Sequence, residues 1–250
     1  MFKNIEGEDP IIILLGLLAG LTAGIFAGMM GMGGGLIFVP LLIQIFPKIG
    51  IHHAIATSTC FVAFSAISSY LSHSSTYAAM KETLLWIFSG SIIGAILGPH
   101  IALIIPEGIL SKLFTLVVAL PFIMRQLKIS VPEKPWILSI SGLLIGMLSS
   151  IFGIGGGVVL MPLLTQVFHK DIRYSITTST LFIVINSSIA TAAYTFSGVV
   201  EWRIILFAAP AGILGARLGA KISHKTPPIM LNAGIVVVDI LIIIKMLSVG

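Results

Sequence analysis

The chain has 250 residues, of which 57% are hydrophobic and 9% charged, with a mean hydropathy of +1.12 and a formal net charge of +5. Soluble domains carry about 25% charged residues, so this is the composition of a polytopic integral membrane protein. The 14 Lys and Arg fall mostly between apolar runs and form no basic patch interleaved with aromatics, which argues against nucleic acid as a partner, and the single cysteine, Cys60, excludes an intrachain disulfide or a cysteine metal cage.

The first ten residues, MFKNIEGEDP, hold three acids against one lysine. That is a poor signal-peptide start, so the apolar run after it reads as a retained first helix. Further apolar runs are expected at 36–46, 54–71, 84–105, 109–124, 136–152, 158–168, 176–196, 204–222 and 229–244. Several reach the roughly 17 to 25 residues needed to span a bilayer, whereas 36–46 and 158–168 do not.

Those two short runs correspond. GMGGGLIFVPLLIQIF from residue 31 and GIGGGVVLMPLLTQVF from residue 153 are identical at 9 of 16 positions at an offset of 122. Farther on, TSTCF at 57 meets TSTLF at 178, and IIGAILGPHI at 92 meets ILGARLGAKI at 213, both at an offset of 121. The expected organisation is therefore one transmembrane transporter unit over 1–250, made of an N-terminal repeat over 10–129 and a C-terminal repeat over 130–250. The expected fold is all-α, with two homologous repeats of about four helical segments each and glycine-broken helices.

Duplicated halves with broken helices are the pattern of secondary transporters, whose repeats are either inverted in the membrane or rotated about its normal. If each glycine-broken unit crosses an even number of times, one side collects Lys81, Arg125, Lys128, Lys134, Lys170, Arg173, Arg217, Lys221 and Lys225. The other receives Lys3, Lys48, Lys112, Arg203 and Lys245. The positive-inside rule then favours inverted repeats with both termini outside.

From Ile11 to Phe46 a single helix would run about 54 Å, well beyond a hydrocarbon core of about 30 Å, so the unit must bend or break. Gly31, Gly33, Gly34 and Gly35 permit the break, and Pro40 suits the first turn of a new helix. A helix beginning there presents free N–H groups and a positive dipole end, for which an anion is the natural partner. The same device recurs at Gly153 to Pro162, which makes Gly33, Gly34, Gly35, Gly155, Gly156 and Gly157 candidate substrate-binding positions. Gly16, Gly20, Gly24 and Gly28, echoed by Gly142, Gly146 and Ser150, read instead as a helix-packing stripe.

Polar residues inside apolar runs supply the other candidates. Thr57, Ser58 and Thr59 match Thr178, Ser179 and Thr180, whose hydroxyls could donate to an anion or serve as caps and interhelical bonds. Gln44 and Gln166 are a matched pair with either a binding or a structural use. Asn186, opposite Ser65, is a weaker candidate. Asp239, an acid inside GIVVVDILIII with Val118 as its counterpart, is the candidate for coupling to protons. His100 and Lys221 read as groups snorkelling at a membrane edge, and His52 and His53 as loop residues. With no Walker A sequence, no GxGxxG after a strand, no HExxH and no Cys/His cluster, neither a cofactor nor a metal is expected, and no catalytic residue is assigned.

The doubled GMGGGLIFVPLL and GIGGGVVLMPLL, each followed by ATST or TTST, resemble the TauE/SafE family of sulfite exporters and related sulfur-compound permeases over nearly the whole chain. The resemblance implies a multi-pass permease of a bacterial-type cell membrane for sulfite, thiosulfate, sulfoacetate or related organosulfonates. It departs from the expected pattern in having Tyr174 and Ser175 where a small residue, like Ala54, is expected before the second hydroxyl cluster. Since an inside-negative potential already drives anions outward, export by alternating access around a midplane site is the expected mode. The alternatives are a proton-coupled carrier of another small solute and a non-transporting membrane protein.

Overall fold

Hydrocarbon offers no partners to a polypeptide backbone, so a spanning chain must bond its own N–H and C=O groups. The computed structural model describes residues 10–74, 81–126, 132–227 and 229–231, and these residues form nine helices and no strand. They are α1 (Pro10–Met30), α2 (Gly35–Ile45), α3 (Ile51–Ser74), α4 (Lys81–Ile104), α5 (Glu107–Gln126), α6 (Pro135–Phe152), α7 (Gly157–Pro162), α8 (Ile172–Phe196) and α9 (Trp202–Lys225). α7 continues as a π-helical turn over Leu163–Val167, where Phe168 N–H reaches back to Leu163 O. Six of the described helices, α1, α3, α4, α6, α8 and α9, are long and apolar enough to cross a membrane, as expected of a polytopic all-α protein. His52 and His53, read from sequence as loop residues, lie instead in the first turn of α3.

Glycine decides how these helices pair. α1 lies against α9 so closely that a Cβ on Gly20 would stand 2.5 Å from Ala208 O, and one on Gly24 or Gly28 would collide with the backbone of Gly212 or Ala216. The contacts advance together along both chains, so α1 and α9 run parallel. α4 and α6 pair in the same sense, with Gly90, Gly94 and Gly98 facing Ser139, Leu143 and Met147. Small residues let helix backbones approach where lipid provides no hydrophobic drive to associate. Gly16 takes no part in the stripe, since among the described residues nothing lies within 4 Å of a Cβ placed there.

Each glycine-lined pair joins a helix of the first half to one of the second, and α3 and α8 pack between them as the enclosed centre. Thr57, near the start of α3, accepts from the N–H of Glu201, just past the end of α8, at 3.0 Å. At the other end of α3, His73 contacts His224, whose carbonyl accepts from Arg173 in the first turn of α8. The start of α3 thus lies near the end of α8, and the reverse, so the two helices are antiparallel.

Candidate functional site

The two glycine breaks meet. Gly31 and Gly153 have φ of +64° and +67°, and Gly33 and Gly155 have +73° and +77°, left-handed values that residues with a Cβ rarely adopt. The third pair diverges, since Gly34 is right-handed at −66° and Gly156 left-handed at +82°. A Cβ on Gly157 would stand 2.6 Å from Gly31 O, and one on Gly35 would collide with Gly153 O. Each helix start therefore abuts the break of the other half. Val62 and Ile183, equivalent positions on α3 and α8, close around Gly33 and Gly155.

Two serines fasten this crossing reciprocally. Ser58 Oγ donates to Gly153 O at 2.8 Å, and Ser179 Oγ donates to Gly31 O at 2.6 Å. Each hydroxyl satisfies a buried carbonyl that the broken helix of the other half leaves open. The neighbouring hydroxyls are also committed. Thr59 donates to Ile55 O, Thr180 to Thr177 O and Thr178 to Tyr174 O. A hydroxyl has one proton to give, so in this conformation Ser58, Thr59, Thr178, Ser179 and Thr180 have none left for an anion.

Backbone N–H groups are among the donors that remain, beside the hydroxyls of Thr57, which accepts from Glu201 N–H, and of Ser187, which has no partner among the described residues. Among the described residues, Gly35 and Leu36 at the start of α2, and Gly157 and Val158 at the start of α7, have N–H groups with no acceptor. Later N–H groups in both helices already reach back to Gly34 O and Gly156 O. From Gly31 to Leu36 and from Ile151 to Pro162 every residue is buried. Unbonded N–H groups at a helix start suit negative charge.

Gln44 and Gln166 are not at this crossing. Gln44 is exposed near the end of α2, nine residues from Gly35 and so about 14 Å along the helix, and Gln166 occupies the π-helical turn. Asp239 lies outside the described residues. Asn186, by contrast, is 1% exposed and donates to Ser149 Oγ at 2.5 Å, within a buried group that includes Ser150 and Ser187. Comparing the halves for identity passes over these serines, because their first-half counterparts are Ala27, Gly28 and Ala66. The informative signal there is difference between the halves. Ser175, the residue opposite Ala54, is buried, and its hydroxyl has no hydrogen-bond partner among the described residues.

Both ends of the α3–α8 pair are tied. At one, His53 Nδ1 lies 2.9 Å from Glu201 Oε1, next to the Thr57 bond. At the other, His73 Nε2–H donates to Gly28 O at 2.7 Å, which leaves Nδ1 to accept from His224 Nε2 at 3.2 Å. Arg173 donates to the carbonyls of His224 and Thr226, and His52, its counterpart in the first half, bonds Ile105 O. No group of three or more His, Cys, Asp or Glu that could hold a metal ion occurs among the described residues.

Known proteins similar to this chain are membrane transporters. The family model described as Sulfite exporter TauE/SafE matches residues 16–246. A probable membrane transporter protein of Bacillus subtilis, YunE, is 26% identical over 245 residues, covering 86% of this chain and 88% of its own. A probable membrane transporter protein of Methanocaldococcus jannaschii, MJ0441, is 28% identical over 241 residues, covering 88% of each chain. No solved structure matches.

Proposed function

Because the chain belongs to the sulfite exporter TauE/SafE family of membrane transporters, we propose that this multi-pass membrane protein exports small sulfur-containing anions by alternating access around its two glycine breaks. Sulfite, thiosulfate, sulfoacetate and related organosulfonates are the substrates in view. The observation that carries this reading is the reciprocal clasp, Ser58 on Gly153 O and Ser179 on Gly31 O, which brings two helix starts with unbonded N–H groups to one buried crossing.

The sign of the ligand follows from those groups. N–H donors favour negative charge, and no Asp or Glu stands in either break to oppose it. For a monoanion, a membrane potential of 100 mV, negative inside, contributes about 2.3 kcal/mol towards exit, so export requires no coupling ion.

We read 10–129 and 130–250 as inverted repeats. The antiparallel run of α3 and α8, which occupy equivalent places in the two halves, supports that reading. The bodies that rock are then not the halves themselves. They are the cross-half pairs α1–α9 and α4–α6, locked by glycine contacts, moving about the α3–α8 core. The His53–Glu201 tie and the His73–His224–Arg173 tie close opposite ends of that core. Access from one side requires one tie to release while the other holds.

A ligand screen tests the proposal. The full chain, purified in detergent, is melted against sulfite, thiosulfate, sulfate, taurine and sulfoacetate. An anion at 100 times its Kd adds about 2.7 kcal/mol to stability and raises the melting temperature accordingly. Efflux of the stabilising anion from proteoliposomes then establishes transport. Absence of stabilisation by every anion, with no efflux, would refute the reading.

A further inference from the structure

Near its glycine break the second half carries buried polar side chains where the first half has smaller residues. At the offsets that align the repeats, Ser149 stands against Ala27, Ser150 against Gly28, Asn186 against Ser65 and Ser187 against Ala66. All four second-half residues are 1% exposed. They lie where α6 and α8 meet beside the second glycine break. Ser187 Oγ is 3.5 Å from the place a Cβ on Gly155 would take, and Ser149 Cβ is 3.1 Å from that on Gly156.

Hydrogen-bond accounting fixes how Asn186 is turned. Ser149 and Ser150 both give their protons to Gly146 O, at 3.1 and 2.8 Å, so towards Asn186 they can only accept. The amide nitrogen faces them, at 2.5 and 3.5 Å, and the amide oxygen points elsewhere. Asn186 Oδ1 and Ser187 Oγ are buried with no hydrogen-bond partner among the described residues. That oxygen lies beside the close approach of Gly146 to α4, since a Cβ on Gly146 would stand 3.0 Å from Oδ1 and 2.6 Å from Ser91 O. Tyr194, the ionisable group that touches this cluster among the described residues, donates to Ser150 O at 2.7 Å and does not serve Asn186. In the first half, Ser65 gives its proton to Val62 O and offers no amide, and Ala66 offers no hydroxyl.

An anion consisting only of acceptors would suit the N–H groups of the break and leave the Asn186 oxygen unpaired. An amide oxygen in a membrane interior needs a donor. We propose that Asn186 and Ser187 make the second half of the site select monoanions that carry their own O–H, with that hydrogen given to Asn186 Oδ1 and the Ser187 hydroxyl donating to the charged oxygens. The inference rests on the anion-transport reading above and narrows its substrate class. Two sources share the chemistry: an oxyanion that keeps an acidic proton, such as hydrogen sulfite, and a sulfonate bearing an alcohol.

Thermal-shift titration of the purified full chain separates the outcomes. Sulfite is compared below and above its second pKa. Isethionate is compared with ethanesulfonate at a single pH, so that the protein's own titration drops out. The wild type is expected to prefer the O–H-bearing member by about tenfold or more in apparent Kd in at least one pair, because a site built to bond a hydroxyl rejects the analogue without it. Preference in the sulfite pair alone identifies the acid proton as the donor, and in the sulfonate pair the alcohol. Asn186→Ser and Ser187→Ala, which install the first-half residues, are expected to shrink the preference to within about threefold of unity while anions still bind.

Equal affinity within both pairs for the wild type overturns the inference and leaves anion transport standing. So does a preference that survives in variants whose melting temperature alone has fallen. If no anion stabilises the wild type, the transport reading fails and this inference with it. The wild-type comparison decides the question even if a variant does not fold.

Discussion

Replacing Gly157 with alanine tests whether the two breaks depend on each other. The new Cβ would stand 2.6 Å from Gly31 O, 2.7 Å from Met32 C and 2.6 Å from Ile183 Cδ1. The isoleucine methyl can swing aside, but the two backbone atoms cannot. Ordinary contact begins at 3.4 Å, so the backbones would have to part by about 0.8 Å. The Ser179–Gly31 bond, 2.6 Å long, uses the same carbonyl and would be distorted and weakened by that movement. Overpacking costs about 1–3 kcal/mol, and the weakened buried bond adds about 1 kcal/mol. A total loss of about 2–4 kcal/mol is expected in equilibrium unfolding in mixed micelles. Gly16→Ala is the control. With nothing among the described residues within 4 Å of its Cβ, it is expected to be neutral or to gain up to about 1 kcal/mol from helix propensity. Because Gly157→Ala and Ser179→Ala both act on the Gly31 carbonyl, the double variant should lose less than the sum by about 0.5–3 kcal/mol. Wild-type stability in Gly157→Ala, or strictly additive losses, would refute the proposed interdependence.

Four further outcomes are expected. Ser58→Ala and Ser179→Ala each orphan a buried carbonyl, and both should lose about 1–3 kcal/mol in the same unfolding assay. Gly24→Val should separate α1 from α9, lower the melting temperature by several degrees and abolish efflux from proteoliposomes, whereas Gly16→Val should do neither. Arg173→Lys removes the fork that serves two carbonyls at the end of α9, and amide exchange at Ser223 to Thr226 should quicken. Asp239→Asn should leave the pH dependence of transport unchanged if the anion moves uncoupled, and a shifted profile in flux measurements would favour the proton-coupled carrier.

Much of this protein was legible in the sequence because its controlling constraints are local or repeated. Composition marks a polytopic membrane protein, and helix length against bilayer thickness requires that the stretch from Ile11 to Phe46 break. The doubled GMGGGLIFVPLL locates both breaks, and the Gly20, Gly24, Gly28 spacing identifies a packing face. The family resemblance rests on the same repeated residues.

Partner identity was decided only by tertiary structure. A four-residue glycine spacing says that something packs closely, but not that α1 pairs with α9 of the other half, because one helix face carries no record of which helix will cover it. The hydroxyl clusters looked equally suited to holding an anion or bonding a neighbour. The crossing commits the protons of Ser58 and Ser179 to Gly153 O and Gly31 O, and so withdraws both hydroxyls from the donors open to an anion. Gln44 matched Gln166 in sequence, yet the helical rise carries it about 14 Å from the break. The free oxygen of Asn186 emerges only when the proton on each surrounding serine is counted, since a side chain's remaining hydrogen-bonding capacity depends on neighbours that the fold brings from elsewhere in the chain.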